Sequence, residues 1–592
     1  MENREIARTL EDVADLLDIS GANPFRVRAY RNAARTVKEH TRPLRAMVEE
    51  GADLTELPDV GDDISGYVEE LVETGDLELL DELTEEVPYS LIELTRLPGV
   101  GPKKTKKLWE RLGVETVDQL EEAAGAGEVQ ELDGFGARTQ EKILSGIEQY
   151  RRHQERFRLS EADRLVAPLL EHLREHDGLE RIEVAGSYRR RKETVGDVDL
   201  LAISDDGASL MERFTGFDRV EEVEAAGDTR GTVRLDSGLD VDLRVLPAES
   251  YGAALAYFTG SKEHNVRVRK RAVRRGLRVS EYGVYREEDG AGSAEAGDDA
   301  GDGSDPRSGE RIGGRTEEEV YAAVDLPWIP PELREDRGEI EAAEAGELPG
   351  LVTRDDLRGD LQMHTTWSDG KQSVAEMMEA CRDLGYEYLA VTDHSQSLGV
   401  TGGMDEEKLR RQWEAMDEVE DRVDGIRLLR SMEVDILADG SLDLADGMLE
   451  ELDVVLVSVH SRFNLPADEQ TERLVTALRH PQVDILAHPT GRLINQRDPY
   501  AFDLDRVLDV AAGEGVAVEL NANPSRLDLR DTHLMKARER DIPVVISTDA
   551  HRAAELELIS YGVEQARRAW LEPEAVLNTR PADELLAALP GD

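Results

Sequence analysis

Three aspartates in short apolar stretches have the spacing of metal ligands. Asp197 and Asp199 flank a valine in GDVDLL, and Asp242 follows Asp240 in the same way in LDVDLRVLP. If both stretches are strands, alternate carboxylates share one face, where they repel each other unless a cation lies between them. Oxygen ligands of this kind suit Mg²⁺ or Mn²⁺, ions that assist phosphoryl transfer. The pattern predicts a phosphoryl-transfer site, and carboxylates that only pair with nearby arginines are the alternative.

A second set of metal-ligand residues follows apolar stretches in the carboxyl-terminal part of the chain. It consists of His364, Asp369, His394, Glu433, His460, His488, Asp549 and His551. One histidine on an apolar strand is more often a core residue, but five with three carboxylates at successive strand ends predict a metal cluster. Mixed imidazole and carboxylate ligands favour Mn²⁺ or Zn²⁺ over Mg²⁺. Such a cluster activates water beside a phosphate ester, so we expect phosphoester hydrolysis.

Three glycine-containing segments repeat one pattern, in which a helix ends, turns and is followed by another helix. They are LPDVGDDISGYV from Leu57, LPGVGPKKTKKL from Leu97 and LDGFGARTQEKI from Leu132. The backbone N–H groups of such a turn can bind a phosphate without sequence preference, and adjacent lysines add counterion release. A solvated helix face is the alternative for any single copy, but three copies favour DNA binding. The candidate contacts are Gly99, Gly101, Lys103, Lys104, Lys106, Gly134 and Gly136.

The predicted secondary structure that would position these residues differs from one part of the chain to the next. Residues 1–150 are predicted to be mostly helical, residues 180–246 contain four short β-branched stretches typical of a sheet, and residues 253–275 form a basic helix. Residues 287–315 are acidic and rich in Gly and Ser, which predicts a surface loop without a core. Beyond a boundary near residue 345, seven apolar strands alternate with helices, as in an α/β barrel.

Composition sets further limits. The chain has 592 residues and a formal net charge of -56, so several domains are expected, and the charge alone would argue against a polyanionic partner. Few aromatic residues and more Arg than Lys favour a halophilic protein, and an ordinary acidic protein is the alternative. Cys381 is the single cysteine, which fits a reducing cytoplasm. No apolar run approaches membrane-spanning length, and we expect a monomer with no membrane contact.

The signature GSYRRRKETVGDVDLL, the strand VDLR and the later YFTGS occur in the order seen in the family X DNA polymerases. The chain resembles that DNA polymerase beta-like family from its amino terminus to about residue 340, and the glycine turns resemble the helix-hairpin-helix motif of DNA repair proteins. The resemblance implies a helical DNA-end-binding domain at 1–85, helix-hairpin-helix fingers at 86–155, a nucleotidyltransferase palm at 156–248 and a thumb at 249–344. It implies gapped or nicked DNA and deoxynucleoside triphosphates as partners.

The resemblance also implies roles for individual residues. Asp197, Asp199 and Asp242 would be the catalytic metal ligands. The nucleotide would be bound by Ser187, Arg190 and Gly196 at the triphosphate, by Tyr257, Phe258 and Gly260 at the sugar, and by Asn265 and Arg269 beside the nascent base pair. The 5'-phosphate of a gap would be bound through NPFRVRAYRNAART, including Arg26, Arg31 and Arg35.

One position departs from the family pattern. Members with 5'-deoxyribose phosphate lyase activity use a lysine after the first hairpin to form a Schiff base, and Tyr67 stands at that position here. Tyrosine cannot form the imine. We expect binding of gapped DNA ends without lysine-based lyase chemistry.

Residues 345–592 resemble the PHP domain, named for polymerases and histidinol phosphatase, which implies a distorted (βα)₇ barrel in a multidomain α+β and α/β protein. The usual opening of that domain is His-x-His, but Gln362 replaces the first histidine in GDLQMH, which should weaken one metal position. The resemblance implies a 3'-5' exonuclease, 3'-end processing or abasic endonuclease activity.

The sequence thus predicts a gap-filling repair polymerase with a second phosphoesterase site. One alternative keeps the polymerase but makes the PHP domain structural or a small-molecule phosphatase. Others are a DNA-end-binding scaffold without activity and a nucleotidyltransferase acting on tRNA or small molecules.

Overall fold

The computed structural model divides into two compact units, Met1–Glu155 and Arg156–Asp592. The described residues are 3–39, 44–49, 52–57, 60–74, 77, 79–80, 83–84, 87–95, 97, 100–132, 134–154, 156–286, 307–398 and 402–590. No helix in these ranges has the length and apolar character needed to cross a membrane.

The first unit is helical. Its α-helices include α1 (Asn3–Ser20), α2 (Pro24–Glu39), α3 (Leu44–Glu49), α4 (Asp62–Thr74), α5 (Leu91–Thr95), α6 (Pro102–Leu112), α7 (Val117–Gly125) and α8 (Ala137–Gln154). Apolar residues on one face of α1, including Ile6, Leu10, Val13 and Leu17, are buried in its core. This spacing explains why α1 packs as an amphipathic helix.

The three glycine repeats share one hydrogen-bond pattern. Val60, Val100 and Phe135 each donate their backbone N–H to the carbonyl three residues earlier, and α4, α6 and α8 begin shortly afterwards. The helices before the first and third turns are short 3₁₀ helices, Leu54–Glu56 and Val129–Glu131. Extended backbone at Asp53 and Leu57 leaves only three residues between them, too few for an α-helix.

The second unit starts with a five-stranded sheet. Its order is β2 (Leu179–Val184), β4 (Asp197–Ser204), β7 (Asp240–Val245), β6 (Arg230–Leu235) and β5 (Val220–Ala226). The accompanying elements are β1 (Phe157–Arg158), α9 (Leu159–Arg174), α10 (Gly186–Arg189), β3 (Thr194–Val195) and α11 (Gly207–Thr215). Strands β4 and β7 are parallel, whereas the other neighbours in this sheet are antiparallel. The four strands expected between 180 and 246 are present, and β5 is an additional edge strand.

The next segment contains α12 (Tyr251–Thr259), α13 (Lys262–Val273), β8 (Leu277–Ser280), β9 (Gly283–Arg286), β10 (Glu310–Gly313), α14 (Glu317–Ala323) and α15 (Glu339–Ala345). The single helix expected over 253–275 is two helices, because Gly260 has a φ of 69° and ends the first. Most of the expected acidic loop, residues 287–306, lies outside the described residues. Its last part is not a loop, because Glu310–Gly313 pairs with β9 through backbone hydrogen bonds that side-chain pattern does not reveal.

The remaining chain is a nearly closed barrel of seven parallel strands in chain order. They are β11 (Gly359–Asp360), β12 (Tyr388–Val391), β13 (Arg427–Asp435), β14 (Val454–Ser458), β15 (Ile485–Leu486), β16 (Ala517–Asn521) and β17 (Val544–Ser547). A bridge between Met363 and Ala550 brings the first and last strands together. All seven expected strands are confirmed, and their continuous burial explains the uninterrupted apolar runs.

Helices cover the barrel and connect its strands. They are α16 (Val374–Asp383), α17 (Glu406–Glu420), α18 (Asp446–Leu449), α19 (Ala467–Leu478), α20 (Leu504–Glu514), α21 (Asp531–Arg538), α22 (Ile559–Arg568) and α23 (Ala582–Leu586). Trp570, which follows α22, is buried in the same cluster as Val268, Tyr321 and Leu333. The barrel therefore shares apolar packing with the segment that contains α13 and α14.

Candidate metal centres and nucleic-acid contacts

The strand register brings the three aspartates of the first site together. Asp199 on β4 is paired with Asp242 on the parallel strand β7, and Asp197 lies two residues before Asp199. Burial and the nearby charges of Asp197 and Asp242 raise the pKa of Asp199 to about 7. A divalent cation relieves this kind of repulsion, and the all-oxygen donor set fits Mg²⁺ or Mn²⁺.

Asp240 shares the face of Asp242 but has a different environment. Its Oδ1 lies 2.9 Å from Nε of Arg234, with which it forms an ion pair. Asp242 instead accepts a hydrogen bond from the Thr232 hydroxyl, and the guanidinium of Arg244 is 3.7 Å away. Asp240 thus has a direct ion pair with Arg234, whereas Asp242 has only longer contacts with Arg230 and Arg244, at 3.8 and 3.7 Å, and lies opposite Asp199.

A short helix lies beside these carboxylates. Ser187 is in α10, and Gly186 at its start has a φ of 65°. A Cβ atom on Gly186 would be 3.0 Å from Oδ2 of Asp199, so another residue here would crowd this carboxylate as well as strain the left-handed backbone. A Cβ at Gly196, just before β4, would lie 3.3 Å from the Arg156 guanidinium. The residues expected to bind triphosphate therefore border the carboxylate cluster.

Arg190 connects the end of α10 to the segment after β7. Its Nε is 2.9 Å from Oε1 of Glu335, and its Nη1 donates to the carbonyl of Thr259. A Cβ on Gly260 would be 3.0 Å from Nη1 of Arg190. The Arg190 guanidinium is thus held in one orientation from two sides.

Of the residues expected near the sugar and base, Tyr257, Asn265 and Arg269 line one small cavity, whereas Phe258 and Gly260 are not among its lining residues. It is lined by Ala256, Tyr257, Asn265, Val268, Arg269, Val279, Val320 and Tyr321. Asn265 donates its side-chain amide to the carbonyl of Tyr257 at 2.6 Å, and the ring of Tyr257 packs edge-on against Phe258. Helices α12 and α13 therefore place Tyr257, Asn265 and Arg269 on one surface.

The second set of ligands forms one connected cluster at the carboxyl ends of the barrel strands. Glu433 is central, because its carboxylate oxygens lie 2.8 Å from Nε2 of His488 and 3.3 Å from ring nitrogens of both His394 and His460. Three groups have ligand atoms within 4.8 Å of one another: His364, Asp369, His394 and His551; His394, Glu433 and His460; His364, Glu433 and Asp549.

The electrostatics of this cluster fit metal ions. Burial disfavours the charge of His551, but the hydrogen bond with Asp369 and the charge of Asp549 raise its pKa to about 9. Nε2 of His364 lies 3.1 Å from Oδ1 of Asp549 and 3.4 Å from Oε2 of Glu433, and Nδ1 of His488 is buried without a hydrogen-bond partner in the described part of the chain. Buried imidazoles beside carboxylates are the donor set that Mn²⁺ or Zn²⁺ binds.

Gln362 lies next to this cluster but contacts a different carboxyl group. With its amide nitrogen turned towards Glu519, Gln362 donates to Oε2 of Glu519, 3.1 Å away. The same Oε2 accepts the backbone N–H of His488 at 2.6 Å. Burial and the neighbouring Asp549 raise the pKa of Glu519 well above its ordinary value. A Gln362–Glu519 contact therefore lies where the family pattern expects an imidazole ligand.

Sequence reasoning missed three residues that support this cluster. Glu519 holds Gln362, and Asp435 lies 3.2 Å from Nδ1 of His460 and fixes that ring. Arg526 lies 3.4 Å from Oδ2 of Asp549 and, together with burial, lowers the pKa of His488. Asp435 ends the same MEVD stretch as Glu433, which was a usable signal, whereas nothing in the sequence around Arg526 indicates its position.

The lysines of the second glycine repeat have different environments. Lys106 donates to the carbonyl of Ser20 at 2.7 Å, so it satisfies the end of α1. Lys104 lies over the ring of Phe135, and Lys103 is exposed. Gly101 precedes α6 and accepts the N–H of Lys104, as Gly136 does for Thr139 at the start of α8. Gly134 has a φ of 86°, and Gly99 lies outside the described residues.

The predicted 5'-phosphate residues lie on α2. Arg31 is paired with Asp15 and Asp18 at 2.9 and 3.1 Å, and the guanidinium of Arg26 lies over the ring of Tyr30. The side chain of Arg35 lies outside the described residues. Tyr67, the residue expected where lyase members have a lysine, stacks on Tyr30 with ring centroids 6.2 Å apart.

Comparisons with known proteins agree with this architecture. Family models match a helix-hairpin-helix domain at residues 1–77, a helix-hairpin-helix tandem at 91–149, the DNA polymerase beta palm at 156–227, the DNA polymerase beta thumb at 254–335 and the PHP domain at 360–523. A Bacillus subtilis protein named DNA polymerase/3'-5' exonuclease PolX is 39% identical over 591 residues, covering 100% of this chain and 99% of the relative.

Shorter relatives carry a different name. A probable phosphatase of Thermoanaerobacter sp. (strain X514) is 28% identical over 27% of this chain and 66% of its own length. A probable phosphatase of Syntrophotalea carbinolica is 25% identical over 37% of this chain and 90% of its own length. The match that covers the whole chain, together with the palm carboxylates and the barrel ligand cluster, shows that the chain belongs to the family X DNA polymerases with a carboxyl-terminal PHP domain.

Proposed function

We propose that the protein is a DNA polymerase that fills short gaps during DNA repair and trims 3' ends with the 3'-5' exonuclease activity of its PHP domain. The observation that carries the polymerase assignment is the register that sets Asp199 opposite Asp242, with Asp197 and α10 beside them. The name of the full-length Bacillus subtilis relative supports both activities.

The proposed domain limits are 1–85, 86–155, 156–248, 249–344 and 345–592. The first two would bind the DNA backbone through the glycine turns and the residues of α2. The single buried cysteine favours a reducing cytoplasm as the compartment.

In the palm, Asp197, Asp199 and Asp242 would hold Mg²⁺ or Mn²⁺. Bound metal would supply charge neutralisation for the attacking 3'-hydroxyl and for the leaving pyrophosphate. Arg190, fixed by Glu335 and Thr259, would bind the triphosphate, and Tyr257, Phe258 and Gly260 would shape the sugar site. Asn265 and Arg269 would contact the minor-groove side of the new base pair.

In the barrel, the eight clustered ligands would hold Mn²⁺ or Zn²⁺ beside the phosphodiester. Asp435 would orient His460, and Arg526 at the cluster would bind a phosphate oxygen of the DNA strand. The Gln362–Glu519 contact would leave one metal position weaker than in family members that have a histidine there.

The activities are tested with a 5'-labelled primer on a one-nucleotide-gapped duplex, in high KCl with Mn²⁺, with and without deoxynucleotides. Primer lengthening with nucleotides and shortening without them would support both sites. Lengthening alone would favour the second candidate function, a PHP domain acting on small phosphoesters, for which the two relatives named probable phosphatases are the reason. A complete absence of nucleotide insertion would refute the proposal.

Lyase chemistry has a separate test. Because Tyr67 packs against Tyr30 where the family lysine would stand, borohydride should not trap a covalent complex with a preincised abasic site. A trapped complex would show that another lysine serves as the nucleophile.

A further inference from the structure

Helix α22 of the barrel contacts the turn that follows α10 in the palm. Arg568 donates through Nη1 to the backbone carbonyl of Arg190 at 2.6 Å, and Gln565 donates through Nε2 to the carbonyl of Arg191 at 2.9 Å. Glu564 lies 2.8 Å from Nε of Arg191. Three side chains of one barrel helix therefore hold two successive residues of the palm.

These two palm residues need such support. Arg190 is the C-terminal cap of α10, where carbonyl groups have no partner within the helix. Arg191 has a φ of 54°, a left-handed conformation that a residue with a side chain adopts only when its surroundings hold it. The hydrogen bonds from α22 satisfy the carbonyls at this point and fix the direction in which Arg190 leaves the helix.

The side chain of Arg190 is linked to the same barrel arginine through Glu335. Oε1 of Glu335 accepts from Nε of Arg190 at 2.9 Å and from Nη1 of Arg568 at 3.1 Å. The other end of the Arg568 guanidinium donates to Asp531 at 2.7 Å, and only 2% of the Arg568 side chain is exposed. Arg568 thus holds both the backbone of Arg190 and the carboxylate that orients the Arg190 guanidinium.

We propose that Arg568 is a positioning residue for the polymerase reaction, which acts through Arg190 on the triphosphate of the incoming nucleotide. This inference rests on the proposed polymerase function and on Arg190 as its triphosphate ligand. The PHP barrel is then a structural part of the nucleotide site as well as the carrier of its own metal cluster. Loss of Arg568 weakens nucleotide binding even when the exonuclease cluster is intact, because misplacing Arg190 removes binding energy from the triphosphate.

The test uses the full-length chain with Arg568→Met, which removes the donors but keeps an unbranched side chain of similar length. We expect the KM for the deoxynucleotide in one-nucleotide gap filling to rise about tenfold or more, with a smaller change in kcat. Arg568→Lys retains a donor and the charge, so its KM should lie between those of Arg568→Met and the natural protein.

Arg567→Met is the matched control. Arg567 is the preceding residue of α22, but it is paired with Glu332 at 2.8 Å and donates to the carbonyl of Val352 at 3.2 Å rather than to Arg190 or Glu335. Its loss also removes an arginine from the barrel surface that faces the thumb, but the KM for the nucleotide should stay within about twofold of the natural value. A tenfold rise in this control equal to that of Arg568→Met would overturn the positioning role.

Exonuclease activity of each variant shows whether the barrel is folded. If Arg568→Met has lost that activity, Gln565→Leu is used as the test variant instead. It removes one neutral hydrogen bond and should raise the KM about two- to threefold. An unchanged KM in a folded Arg568→Met protein, or in Gln565→Leu when Arg568→Met does not fold, would overturn the inference. If the natural protein inserts no nucleotide, the proposed function itself fails, which is a distinct result.

Discussion

Asp199 on β4 and Asp242 on β7 lie directly opposite each other across two parallel strands. Their positions are set by the backbone ladder of the sheet rather than by a loop, so their separation changes little with loop motion. Asp240, on the same face of β7, is held by Arg234 instead. Strand β7 therefore carries a candidate metal ligand, Asp242, and a nearby aspartate, Asp240, that can serve as its control.

Asp199→Asn should abolish nucleotide insertion, with a loss of about 10³-fold or more, because an amide cannot supply the negative charge that the metal ions require. Asp240→Asn should keep most of the activity, since Asp240 already pairs with Arg234. Primer extension on gapped DNA measures both variants, and 3'-end trimming should be normal in each. Equal losses in the two variants would contradict the assignment.

Metal binding at the palm should depend on pH. Because the pKa of Asp199 is raised to about 7, the metal-free folded protein retains a proton that the unfolded chain releases near pH 4. The Asp199 contribution to stability is therefore lost as pH rises from about 4 to about 7, and Mg²⁺ must displace the same proton. The Mg²⁺ concentration that gives half-maximal insertion should fall as pH rises to about 7 and then stay level. The same midpoint at pH 5.5 and 7.5 would show that Asp199 does not titrate in this range.

His488→Ala should reduce 3'-5' exonuclease activity by at least about 100-fold while gap filling continues, because His488 contacts the central Glu433. His480→Ala is the matched control, since His480 lies near Asp446 and outside the cluster. Labelled single-stranded DNA with Mn²⁺ gives the rate. Unchanged trimming in His488→Ala would point to a structural or small-molecule role for the barrel.

The lysines of the second glycine repeat should separate into two kinds. Lys103→Gln should weaken DNA binding and reduce the slope of log affinity against log salt by about one, as expected for a lost phosphate contact. Lys106→Gln should mainly lower the free energy of unfolding, by about 1 kcal/mol, because Lys106 caps α1 through Ser20. Fluorescence anisotropy and denaturant unfolding measure the two effects. Equal effects of both changes on DNA affinity, with no change in stability, would contradict this division.

The acidic composition predicts that stability depends on salt. With a net charge of -56, self-repulsion should destabilise the fold at low ionic strength and be screened at high KCl. We expect Tm to rise steadily with KCl from about 0.1 M to beyond 1 M. An uncharged osmolyte at matched osmolality serves as the control, and a Tm that does not change with KCl would favour an ordinary acidic protein.

The sequence was sufficient to predict those strands and helices whose pattern of apolar residues matches the burial of their side chains. The strands before His394, His460 and Asp549 are buried on both faces, so each appears as an apolar run. Strand β5 was missed because VEEVEAA is almost entirely exposed and its pairing depends on the backbone. Glu519 was missed for another reason: its contact with Gln362 joins residues that are far apart in sequence.

The same distinction applies to the charged residues. The lysines of the second repeat look equivalent in sequence, yet Lys106 binds the end of a helix almost ninety positions earlier. The role of Arg568 likewise depends on a contact between α22 and α10 that is far from local. Residue type and spacing predicted where the metal ligands cluster. Only the tertiary structure shows which charged side chains, such as Lys106 and Arg568, already have partners within the protein.

The parallel pairing of β4 and β7 also bears on how the polymerase site assembles. Parallel neighbours cannot be joined by a tight hairpin, and here the chain between them forms α11, β5 and β6 before β7. The pairing of Asp199 with Asp242 is therefore a non-local contact, of the kind that forms slowly and late in folding. The three aspartates therefore come together only when β7 pairs with β4, so we expect the metal site to form after the intervening elements have been synthesised and folded.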